Sequence, residues 1–244
     1  MEDLLGAAAA RSRPIAMAGT RKLEVEGALR GLFLSGGIQR GITVGVGSTG
    51  VPGSVSLALA VTGSVMAGGS CSWSAAVGFP SLGLAAAAEL GVRLERFALV
   101  PAPGDGWPVV VASLLDGVDF VMLRPPARVR PPDARRLAAR VRERGSVMLI
   151  VETAEQQRWP ESPDVRLYVE SAEWVGLGAG HGNLRARKIE VSVGGRRVAG
   201  GRSRRVSLWL PGPGGGVEEV EGTGREGGVP AELGGEPVVV SAAG

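Results

Sequence analysis

Cysteine and histidine each occur once in the 244 residues, at Cys71 and His181. A single cysteine excludes an internal disulfide framework and a cysteine-built zinc site, and a single histidine argues against a multi-histidine metal centre. No metal is expected on those counts; that no cofactor is expected rests instead on the phosphate-loop positions Ser48, Gly53, Ser54 and Val55. A reducing, cytoplasmic setting fits both counts. Charge is missing altogether from residues 41–88. Glycines, serines and Pro52 interrupt that stretch, and no run of ~20 mainly apolar residues appears, which argues against a membrane span. Near the start, Glu2 and Asp3 precede the alanines and no Arg or Lys does, the reverse of a secretory leader.

What the chain has in excess is glycine, 40 residues, alongside a hydrophobic content of 44%. The first implies many turns and close backbone approaches, and the second a sizeable core. The net charge of +3 hides an asymmetry: residues 211–244 hold six glutamates and one arginine, which leaves residues 1–210 at +8. A basic body favours nucleic acid or acidic protein partners.

Three regions follow. Residues 1–38 read as an arm with helices, with an apolar piece at Asp3–Ala10 and basic residues at Arg11, Arg13, Arg21 and Lys22. Residues 39–210 read as the folded core. Residues 211–244, rich in Gly and Glu, are expected to be largely disordered except around Pro237–Val240. Within the core, Ile42, Val44 and Val46 alternate as in a buried strand, and Ser48–Gly53 is a glycine-bearing loop. Helices are expected at Ser54–Met66, Leu82–Leu90, Trp107–Leu115 and from Asp133, as cap, to Glu143. Strands are expected at Cys71–Val77, Phe97–Pro101, Asp119–Leu123 and Ser146–Val151. Leu167–Ser171, Ile189–Val193 and Ser207–Leu210 read as antiparallel additions. Strands alternating with helices on short connections predict an α/β fold with a mainly parallel sheet.

The strand–loop–helix unit at Gly41–Met66 invites comparison with the phosphate-binding loop G-x-x-x-x-G-K-[S/T]. With its second glycine at Gly53, the first glycine position holds Ser48, the lysine position Ser54 and the hydroxyl position Val55. The plain alternative is a glycine turn before a buried helix. The strand at Gly117–Leu123 ends in Arg124 where a magnesium-holding aspartate would stand, and Asp119 lies at its amino end. A replacement cation would have to come from elsewhere, from Arg40 or a neighbouring subunit.

The chain resembles the ATPase core of RecA recombinases over residues 27–200, and more closely the ImuA family, especially its actinobacterial ImuA-prime form. The resemblance is carried by Arg40–Pro101 with Glu89-Leu90-Gly91-Val92, by LLDGVDFVMLRPP (Leu114–Pro126), by DARRLAARVRERG (Asp133–Gly145) and by WVGLGAGHGNL (Trp174–Leu184). It implies a RecA-like three-layer α/β/α core with antiparallel additions at its C-terminal edge. On that pattern the water-activating glutamate position falls at Phe79, so lysine, aspartate and glutamate are all lost and no ATP hydrolysis is expected. The family role implied is that of an accessory protein in damage-induced mutagenesis and translesion synthesis. Such proteins bind ImuB, an inactive relative of Y-family polymerases; RecA is a second candidate partner and DNA a weak one. Other readings are a SulA-like inhibitor of RecA or FtsZ filaments, and a weak DNA-binding module.

Two basic segments are the candidate contacts. Arg124–Arg144 holds eight arginines against Asp133 and Glu143, with Arg135, Arg136, Arg140 and Arg144 on one helix. Arg185–Arg205 includes Arg187, Lys188, Arg196, Arg197, Arg202, Arg204 and Arg205, opposed by Glu190 alone. The bland reading of either is a solvated face; the functional one is docking to phosphate or an acidic partner. Trp209 reads as buried, Trp107, Trp159 and Trp174 as core or loop anchors with an exposed contact as the alternative for Trp159, and His181 as a turn residue.

Overall fold

The computed structural model describes residues 22–33, 35–48, 50–153, 159–178, 181–196, 203–220 and 238–239. The expected helix at Asp3–Ala10, Arg11, Arg13 and Arg21, Arg197 and Arg202, and most of the acidic tail lie outside them. Among the described residues no helix is long and apolar enough to cross a membrane.

A short hairpin-like pair, β1 (Lys22–Glu24) and β2 (Gly37–Gln39), flanks a 3-10 helix at Gly27–Leu32. Leu23, Leu29, Leu32 and Ile38 of this segment enter the same buried cluster as the central sheet. Next come β3 (Thr43–Ser48), α1 (Ser54–Ala67), β4 (Ser74–Val77), α2 (Leu84–Glu89) and β5 (Phe97–Val100). They are followed by α3 (Trp107–Gly117), β6 (Phe120–Leu123), α4 (Pro131–Arg144) and β7 (Val147–Val151). The chain closes with β8 (Val165–Gly178), β9 (His181–Gly194), β10 (Arg204–Trp209), β11 (Glu218–Glu219) and β12 (Val238–Val239). The absence of charge has a direct cause as far as residue 77, where β3, β4 and ten residues of α1 are buried; over residues 80–88 the chain is mostly exposed and burial does not account for it. A helix that is apolar nearly all round is a buried one.

The large sheet runs β11-β10-β9-β8-β3-β7-β6-β4-β5, with β12 added against β8. Strands β8, β3, β7, β6, β4 and β5 are parallel to one another, so their carboxyl ends share one edge. Beyond β8 the pairing is antiparallel. Alternate residues of the central strands enter two separate clusters. Val44, Val46, Phe120, Met122, Leu149 and Val151 join Leu57, Val61 and Val65 of α1. On the other side Val121, Leu123, Met148 and Ile150 join Val111 and Leu115 of α3 and Leu137 and Val141 of α4.

Two expectations are corrected. Residues 167–171 are not purely antiparallel, because Val165–Val169 runs parallel to Val44–Ser48 while the other edge of β8 pairs antiparallel with β9. A period-2 alternation looks the same for either partner. Asp133 does not cap α4. The helix begins at Pro131, two residues earlier, and Asp133 accepts a hydrogen bond from Arg130 Nε at 2.9 Å. Proline at the first helical turn sacrifices no hydrogen bond, which lets the helix start there. Of the two readings of Trp159, the core anchor holds: it is buried and meets Trp107 edge-on, ring centroids 6.3 Å apart.

At the amino edge of the sheet a buried ion pair ties three segments together. Arg40 Nη1 donates to Asp119 Oδ1 at 2.7 Å, and Arg40 Nη2 to the Ser70 carbonyl oxygen at 2.8 Å. The other carboxylate oxygen accepts from the Ser72 amide at 2.8 Å. Asp119 thus lies at the edge away from the glycine loop, as its place in the strand predicts. Arg40 is there with it and supplies no charge to that loop.

Candidate functional site

The carboxyl edge gathers the ends of β3, β4, β6 and β7. Strand β3 ends at Ser48, and the chain reaches Gly53 before α1 begins. Gly53 has φ 147°, a conformation open only to glycine, and no side chain caps the helix it starts. Its carbonyl oxygen accepts from the Leu57 amide at 2.8 Å, so the amides of Ser54, Val55 and Ser56 have no partner within the helix. Ser54 is itself buried.

Of the positions singled out in the sequence, Val55, Phe79 and Arg124 converge, while Ser48, Gly53 and Ser54 do not line the same cavity. Val55 and Ser56 of α1, Phe79 after β4 and Arg124 after β6 line one cavity of about 230 Å³, completed by Leu59, Leu82, Ala86 and Leu90. Its walls are mainly apolar with two serines, Ser56 and Ser81, its one charge is a guanidinium, and no carboxylate lines it. Such a lining repels a divalent cation and offers no base for water activation. Arg124 is held by its backbone, the amide donating to the Val77 carbonyl oxygen at 2.9 Å. Its carbonyl oxygen would lie 2.2 Å from any Cβ at Gly78, whose φ is 84°, so this close approach of β4 and β6 requires glycine. Among the described residues no group of three or more His, Cys, Asp or Glu could hold a metal ion. A second, wider cavity of about 940 Å³ opens at the ends of β4 and β6, between Trp107 and the Pro125-Pro126 loop, with Arg124, Arg128 and Arg130 on its wall.

The basic segments divide. On α4, Arg135 and Arg136 are exposed and no described carboxylate pairs with either. Arg140 and Arg144 both turn to Asp116 of α3, at 2.6 Å and 3.0 Å from Oδ1. The hydrogen bond from Arg140 is the largest cause that holds the Asp116 carboxyl below its ordinary pKa, and the same bond raises that of Arg140. A carboxylate depressed in this way stabilises the fold above pH 3.8 and loses that contribution as pH falls through its folded value. The Asp116→Asn variant is therefore expected to melt at most about 3 °C lower at pH 7, both partners being partly solvated. Thermal unfolding from pH 7 to pH 2 checks it: the gap to the unmodified chain closes below pH 3.8.

In the second segment, Lys188 is half-buried, Arg196 reaches the Ser162 carbonyl oxygen (3.1 Å) and Arg205 pairs with Glu170 (2.7 Å). Arg204 carries Nε and Nη2 atoms that are buried without a hydrogen-bond partner. Arg187 corrects an expectation: it is 5% exposed and is no surface contact. Its phase along β9 carries the reason, since Arg187, Ile189, Val191 and Val193 alternate onto the buried face. That phase was the available signal, and the concentration of arginines around it masked it. Trp209 is buried, as expected. The side chain of His181 lies outside the described residues.

Fold and site define an α/β protein whose strand–loop–helix unit stands at the carboxyl edge of a mostly parallel sheet, with neither lysine nor carboxylate on the cavity beside its helix. The chain belongs to the family of the MT3502 N-terminal domain, whose model matches residues 31–161. It is 40% identical over 111 residues to the "Uncharacterized protein Rv3395c" of Mycobacterium tuberculosis (strain ATCC 25618 / H37Rv). That match covers 45% of this chain and 52% of the relative, so the chain spans about half the length of the curated relative it matches.

Proposed function

We propose that the chain is a non-catalytic, RecA-like accessory protein of the ImuA-prime type, acting in cytoplasmic translesion synthesis by binding an ImuB-like inactive Y-family polymerase. The observation that carries the non-catalytic part is the convergence of Val55, Phe79 and Arg124, from three separate elements, on one cavity that holds no carboxylate. Phosphoryl transfer depends on a metal and a positioned water, and these residues offer neither. The three-layer RecA-like reading is supported by the two buried clusters, one shared with α1 and the other with α3 and α4. Support for protein binding comes from Arg135 and Arg136, exposed on a helix whose opposite face is core. Such surfaces suit an acidic partner.

The test is complex formation between the full chain and an ImuB-like protein of the same organism at micromolar concentration. A stoichiometric complex is expected. Blocked RecA or FtsZ polymerisation in its place points to a filament inhibitor, and steeply salt-dependent binding of DNA alone points to a DNA module.

A further inference from the structure

We propose that the hollow between α1 and α2 binds a small apolar carboxylic acid, its ring or chain held by the walls and its carboxylate by Arg124. The inference does not depend on the partner-binding role.

The hollow is built before any ligand arrives. Leu59 and Phe79 belong to the main buried cluster, and Val55, Leu82 and Leu90 pack against it. The two helices meet at Gly63, where a Cβ would stand 2.0 Å from the Leu90 carbonyl oxygen. That backbone contact holds them at a fixed separation. A volume of about 230 Å³ falls below the range of sites for drug-sized molecules, about 300–1,000 Å³, and suits a single ring or a short branched chain.

Arg124 gives the hollow its polarity. It is half-buried, and its side chain makes no hydrogen bond or ion pair among the described residues. Its backbone is fixed by the amide bond to Val77 and by the close approach of its carbonyl oxygen to Gly78. No carboxylate lines the hollow, and Glu89, one turn along α2 from Ala86, forms no ion pair with Arg124. Ser81, Leu82, Gly83 and Ala86 of the rim belong to the stretch 80–88, mostly exposed yet without charge. Burial does not explain that composition, but a binding site does. An uncharged rim leaves the guanidinium as the one charge that lines the path of an entering anion, and walls of low dielectric strengthen the attraction. Ser56 and Ser81 each add a hydroxyl for the carboxylate oxygens. Arg124 also lines the wider cavity beside Trp107, so the carboxylate end lies toward that opening and the apolar body toward α1. Inorganic phosphate carries no apolar body and would leave the walls unused.

Titration of the ¹⁵N-labelled full chain with phenylacetate, followed by amide chemical shifts, tests the site. Saturable shifts are expected with a Kd of roughly 1 mM, as the efficiency of small ligands allows. Phenethyl alcohol, which lacks the charge, and acetate, which lacks the ring, should each bind at least about tenfold more weakly. Inorganic phosphate at the same ionic strength should give no saturable shift at the hollow. Arg124→Met should weaken phenylacetate about tenfold, to the level of the alcohol. Ala86→Trp, which fills the hollow from an exposed position on α2, should abolish binding and keeps the test intact if the Arg124 variant fails to fold. Arg128→Met, which touches the wider cavity alone, should leave binding unchanged. The proposal is overturned if the unmodified chain shows no saturable shift at about ten times that Kd. Equal binding of acetate, phosphate or the alcohol overturns it too, as does an Arg124→Met or Ala86→Trp chain that binds phenylacetate as the unmodified one does. Loss of binding in Arg128→Met would place the ligand in the wider cavity and is equally contrary.

Discussion

Replacing Asp119 by alanine should lower the stability of the chain by about 3 kcal/mol, because it takes the carboxylate away from the largely buried guanidinium of Arg40. Asp119 is 4% exposed and receives Arg40 Nη1 at 2.7 Å, while its second oxygen serves the Ser72 amide. Arg40 also holds the Ser70 carbonyl oxygen, so the pair fastens the segment before β4 to the starts of β3 and β6. The loss should be read in urea unfolding as a lower midpoint at an unchanged slope. Replacing both partners at once, Arg40→Met with Asp119→Leu, should recover much of it, since no unpaired charge then remains. A single variant within 1 kcal/mol of the unmodified chain would contradict this account of the amino edge.

The second large effect runs against helix propensity. Alanine in place of a mid-helix glycine normally stabilises by about 0.5–1 kcal/mol. At Gly63, inside α1, it should instead destabilise by about 3 kcal/mol, the upper end of what an added core methyl costs, because the obstacles are backbone. A Cβ there would lie 2.0 Å from the Leu90 carbonyl oxygen and 2.8 Å from the Gly91 carbon. Both obstacles are backbone, where α2 turns toward β5, and cannot rotate aside. Gly117→Ala at the end of α3 is the control: nothing stands within 4 Å of its Cβ position, so its effect should be small. Calorimetric melting of the two variants separates packing from propensity, and a neutral Gly63→Ala would show that α1 and α2 are not in the contact described.

These two sites also mark where sequence reading stops. The charge-free stretch, the alternation of Ile42, Val44 and Val46, and the buried phase of Leu137 and Val141 are local patterns, and β3, α1, β7 and α4 follow from them. The degenerate positions Val55, Phe79 and Arg124 were also legible, and their convergence on one cavity depends only on parallel strands ending together. Pairings across the sheet are a different matter. Arg40 and Asp119 are 79 residues apart, and nothing between them reports their contact. The parallel edge of β8 is invisible because a strand between two partners alternates in the same way whichever way each runs. The β1–β2 pair escaped because three-residue strands leave too short a period to read. Arg187 is the most instructive case: composition placed it in a basic stripe, and strand phase placed it in the core. Where the two disagree, phase follows from backbone geometry and prevails.

The central claim is that this chain works by binding a protein partner. The most direct measurement is size-exclusion chromatography of the full chain with the ImuB-like protein of its own organism, at moderate and then raised salt. A single stoichiometric peak at both salt concentrations is the predicted result. Separate peaks at micromolar concentrations of both proteins would contradict the claim.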